Sequence, residues 1–293
     1  MPTTKPYRDR LQQLKATYDQ LRKGKESLLT IIDESELSES VYNSNAIENS
    51  TLTLKETEQI LLAMEVSRNL SVREVFEAKN LARVMEYIET KAGQKELSTE
   101  LILLLHRMLL TNIDDTISGR FRAAGEYVRV GTHVAPGPEH ISKKMEEILI
   151  EYSSHQATYF VDRIAKFHLA FETIHPFNDG NGRIGRVLMN YQLIRLGFPM
   201  IIVRNKEKKN YYASFGEYQK TQKATTMEHI VALALMESLH KRIAYMNGGE
   251  NIITLSVYAK KYKKSLSTLL NAARRQTLSA FREKGVWKIA SAL

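Results

Sequence analysis

The feature that most limits what this chain can fold into is a twelve-residue run, HPFNDGNGRIGR, from His175 to Arg186, set between two segments of helical period. Before it, Phe160, Ile164, Phe167, Phe171 and Ile174 step four, three, four and three, which predicts a buried helix over residues 158–174. After it, Ile184, Val187, Leu188 and Tyr191 mark a second helix, which stops at Gly197 with Pro199 beyond. Gly180 and Gly182 fall where that helix begins. Backbone amides not yet committed to the helix can point outward there, the helix dipole favours an anion, and absent side chains let a phosphate approach. Arg183 and Arg186 lie three apart, on one helix face, and can fork onto phosphate oxygens. Asp179 is a hard oxygen ligand suited to Mg2+ between phosphates. His175 is the one group in the run whose ordinary pKa lets it take a proton from a hydroxyl near neutral pH. A tight turn with two solvent-facing arginines would explain any one of these residues, but not the set. Together they suit phosphoryl or nucleotidyl transfer. No Gly-Lys-Ser/Thr follows the glycines, and no strand-led Gly-x-Gly-x-x-Gly is present, so neither a P-loop nor a dinucleotide fold is indicated.

The rest of the chain reads mainly as helix. Residues from about Arg8 to Asp33 have a helix-compatible pattern, followed by a polar stretch around Glu34–Ser44. Ser50–Thr53 forms a break and a new cap before Leu54–Met64. Leu81, Val84 and Ile88, then Leu101, Leu104 and Met108, keep helical spacing, and Ser98 with Glu100 can cap the second of these helices. Between Thr111 and Pro138 four glycines surround Tyr127-Val128-Arg129-Val130, which alternates as a strand does. The reading is a small β-hairpin flap, with a plain surface loop as the alternative. Met227, Val231, Leu235 and Leu239 define a further helix, and Asn247-Gly248-Gly249 is the best linker. Beyond it, Leu255–Tyr262 and Leu266–Arg275 suggest two short helices, with a last strand at Gly-Val-Trp-Lys-Ile. The expected fold class is all-α. Its expected divisions are an N-terminal helical region over 1–94, a catalytic core over 95–245 and a small basic module over 250–293.

Composition removes several chemistries. The chain has no cysteine, so disulfides, thiol catalysis and cysteine-bound metals are excluded. It has no 18-residue apolar run and its first residues lack an apolar signal core, so no membrane contact and a cytoplasmic location are expected. The net charge of +9 is unevenly spread, because residues 251–293 carry nine Lys/Arg against one acid, Glu283. His168 could share a face with His175, but no third metal ligand has suitable spacing, and it reads as a hydrogen-bonded core histidine. His133 and His140 read as surface residues beside a Pro-Gly-Pro turn.

The run HPFNDGNGRIGR resembles the Fic-family signature, His-x-Phe-x-Asp/Glu-Gly-Asn-Gly-Arg-x-x-Arg, at every defined position. The resemblance covers roughly residues 95–240 and implies a helical core whose central loop takes ATP and Mg2+. By that resemblance His175 is the general base, Phe177 the apolar anchor of the loop and Asp179 the Mg2+ ligand. The amides at Gly180 and Gly182 form an anion hole. Asn181 steadies the α-phosphate, Arg183 takes the β-phosphate and Arg186 the γ-phosphate. Val128, Arg129 and Val130 resemble the flap that pairs with the backbone of a target protein. Tyr211 and Tyr212 fall where the adenine site is lined, a weaker match. The implied reaction moves AMP from ATP to a Ser, Thr or Tyr hydroxyl of a target protein or of the chain itself.

Ser44-Asn-Ala-Ile-Glu48-Asn49 fits the family's inhibitory pattern, Ser/Thr-x-x-x-Glu-Gly/Asn, and lies ahead of the core, within a helix over about 38–50. Glu48 would pair with Arg186 and turn the α-phosphate away from in-line attack. A surface glutamate near a helix end is the bland alternative. Residues 255–289 look like a winged-helix module, and Arg274 and Arg275 on its second helix suit DNA contact. The rival function is therefore a DNA-binding regulator with the Fic core as sensor. Removal of AMP from proteins and self-association are further alternatives.

Overall fold

Apolar side chains at three- and four-residue spacing put α7 (Phe160–Ile174) and α8 (Asn181–Arg195) at the centre of the molecule, where α8 is buried on every side from Arg183 to Leu193. The computed structural model describes residues 3–65, 70–131 and 133–291. On one side of the central pair lie α4 (Val72–Lys91) and α5 (Thr99–Leu110), contributing Leu81, Val84, Ile88, Leu101 and Leu105 to a core shared with Phe171, Phe177 and Leu188. On the other side lie α1 (Lys5–Leu21), α9 (Lys208–Thr221) and α10 (Thr225–Met246). There Leu11, Tyr211, Met227, Val231 and Leu235 close on Ile164, Leu169 and Met189. A further helix, α6 (Ile141–Ser154), packs on α7. The N-terminal segment is thus part of the same packed body. Among the described residues no helix is long and apolar enough to cross a membrane.

The expected flap is a hairpin of two very short strands, β1 (Arg129–Val130) and β2 (His133–Val134), pairing Arg129 with Val134 and Val130 with His133. Val128 lies outside the strand, yet its carbonyl accepts from the Ala135 amide at 3.1 Å. The chain ends in the order β3 (Ile252–Thr254), α11 (Leu255–Lys261), α12 (Leu266–Arg274), β4 (Ala280–Glu283) and β5 (Val286–Ala290), with an antiparallel sheet ordered β3-β5-β4. That is the order of a winged-helix-like module.

One expectation is overturned. The polar stretch at Glu34–Ser44 interrupts nothing, because α2 runs unbroken from Glu26 to Ile47, and the real break is the turn at Gly24, where φ is +71°. The segment of about 38–50 expected as the inhibitory helix is nearly half of α2 with its cap and the turn after it. A short helix, α3 (Leu54–Glu58), follows, closed by a Thr53–Glu56 capping box. Period alone misses α2 because its buried face is polar. Glu39 is 5% exposed and pairs with Arg204; Arg204 reaches Glu237 at 2.9 Å, and Glu237 meets Arg282 of β4 at 2.6 Å. The Lys284 and Gly285 amides at the β4–β5 turn donate to Glu39 at 3.0 and 3.1 Å. Further along, Asp33 and Glu36 hold Arg242 of α10. A helix that buries Ser38, Glu39, Asn43, Ser44 and Asn45 among Ile32, Val41 and Ile47 shows no continuous apolar stripe. The same contacts dock the C-terminal module on α2, so the turn at Gly248-Gly249 does not leave that module loosely tethered. Replacing Glu39 by Ala strands two amides and one end of Arg204, which keeps Glu237, and costs about 3 kcal/mol. The check is a lowered urea midpoint with an unchanged slope; a midpoint equal to the parent's removes the clamp.

Candidate active site

The loop between α7 and α8 is shaped by its own residues and by three clamps from elsewhere. α7 ends at His175, which takes the left-handed conformation (φ +49°, ψ +62°) uncommon for a residue with a side chain. That backbone is held by Arg122, 3% exposed, whose guanidinium donates to the carbonyls of His175 (2.9 Å), Glu126 (2.8 Å) and Pro136 (2.7 Å). Phe177 is fully buried and stacks on the His106 ring at 3.7 Å between centroids. The Gly119 amide donates to His106 Nδ1 at 3.0 Å, so Nε2 carries the proton and donates to the Asp179 carbonyl at 3.0 Å. Asn181 closes the loop from within. Its Oδ1 accepts from the Phe177 amide at 2.9 Å, and its Nδ2 donates to the Phe177 carbonyl at 2.8 Å. That amide, which the resemblance would assign to a phosphate, is taken up by the loop backbone.

The glycines are needed for space. At Gly180, φ is +82°, and a side chain would press on Leu109 and Leu110. At Gly182 a Cβ would stand 2.1 Å from Glu48 Oε1, so the glutamate approaches the start of α8 more closely than any other residue there would permit.

Charge is densely paired around the helix start. Asp179 accepts from Gly180 N at 2.6 Å, from Arg183 at 3.1 Å and from Arg73 of α4. Burial would raise its pKa, but Arg183 and Arg73 outweigh that and hold it below the usual carboxylate value. Arg183, 3% exposed, also meets Glu77 of α4 at 3.1 Å. Arg186 is 5% exposed and reaches three groups: Ser44 (Nε to Oγ 3.0 Å, Nη2 to the carbonyl 2.9 Å), Glu48 Oε1 (2.8 Å) and the Tyr211 hydroxyl (3.3 Å). Every end of that guanidinium is therefore occupied, and Ser44 and Glu48 are brought together on it across 138 or more residues of chain.

Glu48 is the C-cap of α2, and Asn49 after it is left-handed (φ +69°), a conformation that Asn and Gly enter more readily than other residues. The carbonyl of Ile47 accepts from Tyr212, and Asn49 Oδ1 accepts from Lys208 at 2.7 Å, so α9 fastens the end of α2. Tyr211 is buried beside them and shares its hydroxyl with His168 Nε2 at 2.8 Å. His168 is thus a hydrogen-bonded core residue, as expected.

His175 is mostly enclosed. Burial lowers its pKa to about 4, partly offset by a hydrogen bond with the Glu172 backbone, so the imidazole is neutral near pH 7. Glu172 itself stands with Oε2 3.8 Å from His175 Nδ1 and Oε1 buried without a partner; burial and the nearby Glu48 charge push it up to about 8. Two clefts open from this region. One, of about 380 Å³, is bordered by His175, Asp179, Gly180, Gly182, Arg183, Arg73 and Glu77. The other, of about 580 Å³, is bordered by His175, Arg186, Tyr211, Tyr212 and the flap residues Val130, Gly131 and His133. Glu48 lines both. His133 leaves the surface role expected of it and bonds the Thr173 carbonyl at 2.9 Å, tying the flap to α7. Arg73, Glu77, His106, Arg122, Glu172 and Lys208 were not singled out from sequence. Each lies outside the run of twelve residues and reaches it only through packing.

Residues 96–193 match the Fic/DOC family. The chain is 37% identical over 177 residues to a curated protein adenylyltransferase Fic of Drosophila willistoni, covering 59% of this chain and 35% of that protein. It is 36% identical over 176 residues to the one from Aedes aegypti, covering 59% and 35%. The chain thus spans about a third of the length of the curated relatives it matches. Among solved structures it is similar to a Fic domain containing signalling protein from Bacteroides thetaiotaomicron (TM-score 0.74, 27% identity, 82% of this chain and 97% of that one). It is also similar to Fic-1 from C. elegans (TM-score 0.69, 27% identity, 80% and 71%). A Fic family protein from Desulfovibrio desulfuricans, 19% identical, shares the fold over the whole chain (TM-score 0.64).

Proposed function

We propose that this chain, whose residues 96–193 match the Fic/DOC family, transfers AMP from ATP to a hydroxyl of a target protein and that Glu48 restrains it. The observation that carries the reading is that His175, Asp179, Gly180, Gly182 and Arg183 border one cleft. A base, an anion-binding helix start and a cationic fork then meet where a nucleotide's phosphates would sit.

The residues divide the work by their chemistry. The α-phosphate lies at the amide of Gly182 in the first turn of α8, beside Gly180, whose own amide donates to Asp179. Arg183 turns from Glu77 and Asp179 to the β-phosphate. The adenosine end lies toward Tyr211 and Tyr212 in the larger cleft. Asp179 fits Mg2+ in donor type, since one carboxylate facing a phosphate site suits a cation that keeps phosphate and water as its other ligands. Mg2+ there would supply neutralisation of phosphate charge. The target's backbone pairs along the exposed edge at Val128–Val130, which brings its hydroxyl to His175. Neutral His175 takes the hydroxyl proton, the oxygen bonds to the α-phosphorus, and the bond from α-phosphorus to the bridging oxygen breaks to release pyrophosphate.

With Glu48 on Arg186, the cation meant for the γ-phosphate is occupied by another anion. A nucleotide can enter only with its phosphates displaced from the line of attack. A second reading draws on the position of Glu48 beside His175, where it could orient a water and let the same chain remove AMP.

The test is isotopic. The chain and a cell extract are incubated with ATP labelled at the α- or the γ-phosphate. Protein-bound label from the α position alone is expected. Label from the γ position would mean phosphoryl transfer and would end this reading. Decay of α-label on a purified modified target when the parent chain is added would establish AMP removal.

A further inference from the structure

The basic residues of the C-terminal module separate by position. Of the nine Lys/Arg in 251–293, three lie on the β4–β5 hairpin and all three are paired. Arg282 meets Glu237 and Glu207, Lys284 meets Glu58 at 2.8 Å, and Lys288 meets Glu283. The other six are Lys260, Lys261, Lys263, Lys264, Arg274 and Arg275, on α11, the turn after it and the end of α12. All six are exposed, and among the described residues no acidic side chain pairs with any of them. The single acid of residues 251–293, Glu283, is turned inward to Lys241, Tyr245 and Lys288. One group of cations anchors the module; the other faces solvent with no counter-charge.

The helix carrying the free cations is built for contact. α12 packs on α11 through Leu269 and Ala273, which are buried. It turns Ser267, Thr268, Asn271 and Arg274 to solvent, with Arg275 just after its end. These are short hydroxyl, amide and guanidinium groups, the kinds that bond base edges and phosphates. Meanwhile the amides of Lys284 and Gly285 fix the hairpin turn to Glu39, so the opposite, helical side of the module faces outward.

We propose that the exposed face of α11 and α12 binds double-stranded DNA, with α12 in the major groove and Lys260, Lys261, Lys263, Lys264 and Arg275 on the phosphates. A protruding helix fits the wide B-form major groove, whereas the A-form groove of duplex RNA is too deep and narrow to admit it. This surface stands apart from the loop at His175–Arg186 and does not depend on the transferase reading.

The test uses the full chain and a fluorescein-labelled mixed-sequence DNA duplex of about three helical turns, followed by anisotropy across a salt series. With five to six phosphate contacts the binding constant falls about a thousandfold between 50 and 200 mM salt. Lys263→Ala and Lys264→Ala each lower the log–log slope by about one, and Arg274→Glu/Arg275→Glu removes binding. Unchanged thermal unfolding in these variants shows that the fold is intact. No binding at 50 mM salt overturns the proposal. So does equal affinity for duplex RNA or for polyglutamate, or a double glutamate variant that binds as tightly as the parent.

Discussion

Glu48→Gly is expected to raise AMP transfer by about ten- to a hundredfold over the parent chain. Glu48 holds Arg186 by a charge-assisted hydrogen bond of 2.8 Å inside a pocket where the arginine is 5% exposed. Such a bond contributes about 1.5–3 kcal/mol, and that is the competition an incoming γ-phosphate has to overcome. Removing the carboxylate leaves Ser44 and Tyr211 on the guanidinium, with the Ser44 carbonyl still on Nη2, and frees the one Nη2 hydrogen that Glu48 held. It also clears the space beside Gly182, where Glu48 Oε1 sits against the start of α8. The two effects act together, one on charge and one on volume. Glu48→Gln separates them, since it keeps the volume and loses the charge, and an intermediate rate is expected. The measurement is intact-protein mass spectrometry after incubation with ATP and Mg2+, counting additions of one AMP, with a cell extract as second substrate. Equal modification by parent and Glu48→Gly would show that the ion pair is structural and restrains nothing.

His175→Ala in the Glu48→Gly background is expected to remove the gain, by a factor of about a hundred to ten thousand, the usual contribution of a positioned base. Its pH dependence is the more specific prediction. Burial lowers the His175 pKa to about 4, and the Glu48 charge is one of the influences raising it, so loss of Glu48 moves it lower still. The group is therefore already neutral throughout pH 5–8. The transfer rate of Glu48→Gly should stay level from pH 8 down to about 5.5, where an ordinary histidine would have lost most of its base form. The sign carries over to stability. The unfolded chain binds a proton at His175 near pH 6.5 and the folded chain does not until about 4, so this residue costs stability progressively as pH falls through that window. A rate that drops with a midpoint near 6.5 would mean that substrate entry opens the site to water and restores an ordinary imidazole.

The C-terminal module joins these two themes. Its hairpin grips α2 at Glu39, nine residues before Glu48, through the Lys284 and Gly285 amides, while Glu39 itself is buried against Arg204. The helix that ends at Glu48 is thus fixed at three places: at its end by Tyr212 and Lys208, at Asp33 and Glu36 by α10, and at Glu39 by the hairpin.

The order of residues from His175 to Arg186 was enough to put a base, a carboxylate, two glycines and two arginines at the join of two helices. The six-residue loop 175–180 has few ways to close when its ends are helices of fixed apolar period. The helices around it were legible wherever one face is apolar, as in α4, α5, α7 and α10. They were not legible in α2, where Ser38, Glu39, Asn43, Ser44 and Asn45 interrupt the apolar stripe, nor in α9, whose buried residues are Tyr211, Ser214 and Tyr218. Helix α6 carries Ile141, Met145, Ile148 and Tyr152 at helical spacing, a stripe that the sequence does hold. Glu48 and Ser44 were legible as a spacing, but only packing brings them onto Arg186, through contacts that span most of the chain's first two thirds. The same holds for Arg122 behind His175, His106 against Phe177, and the Arg73–Glu77 pair over Asp179 and Arg183. Each supports the loop from a distant segment, and a linear pattern carries no distance between segments. The basic tail divides the same way. Sequence determined its charge, while tertiary structure decided which cations are spent holding the hairpin to the body and which remain facing solvent.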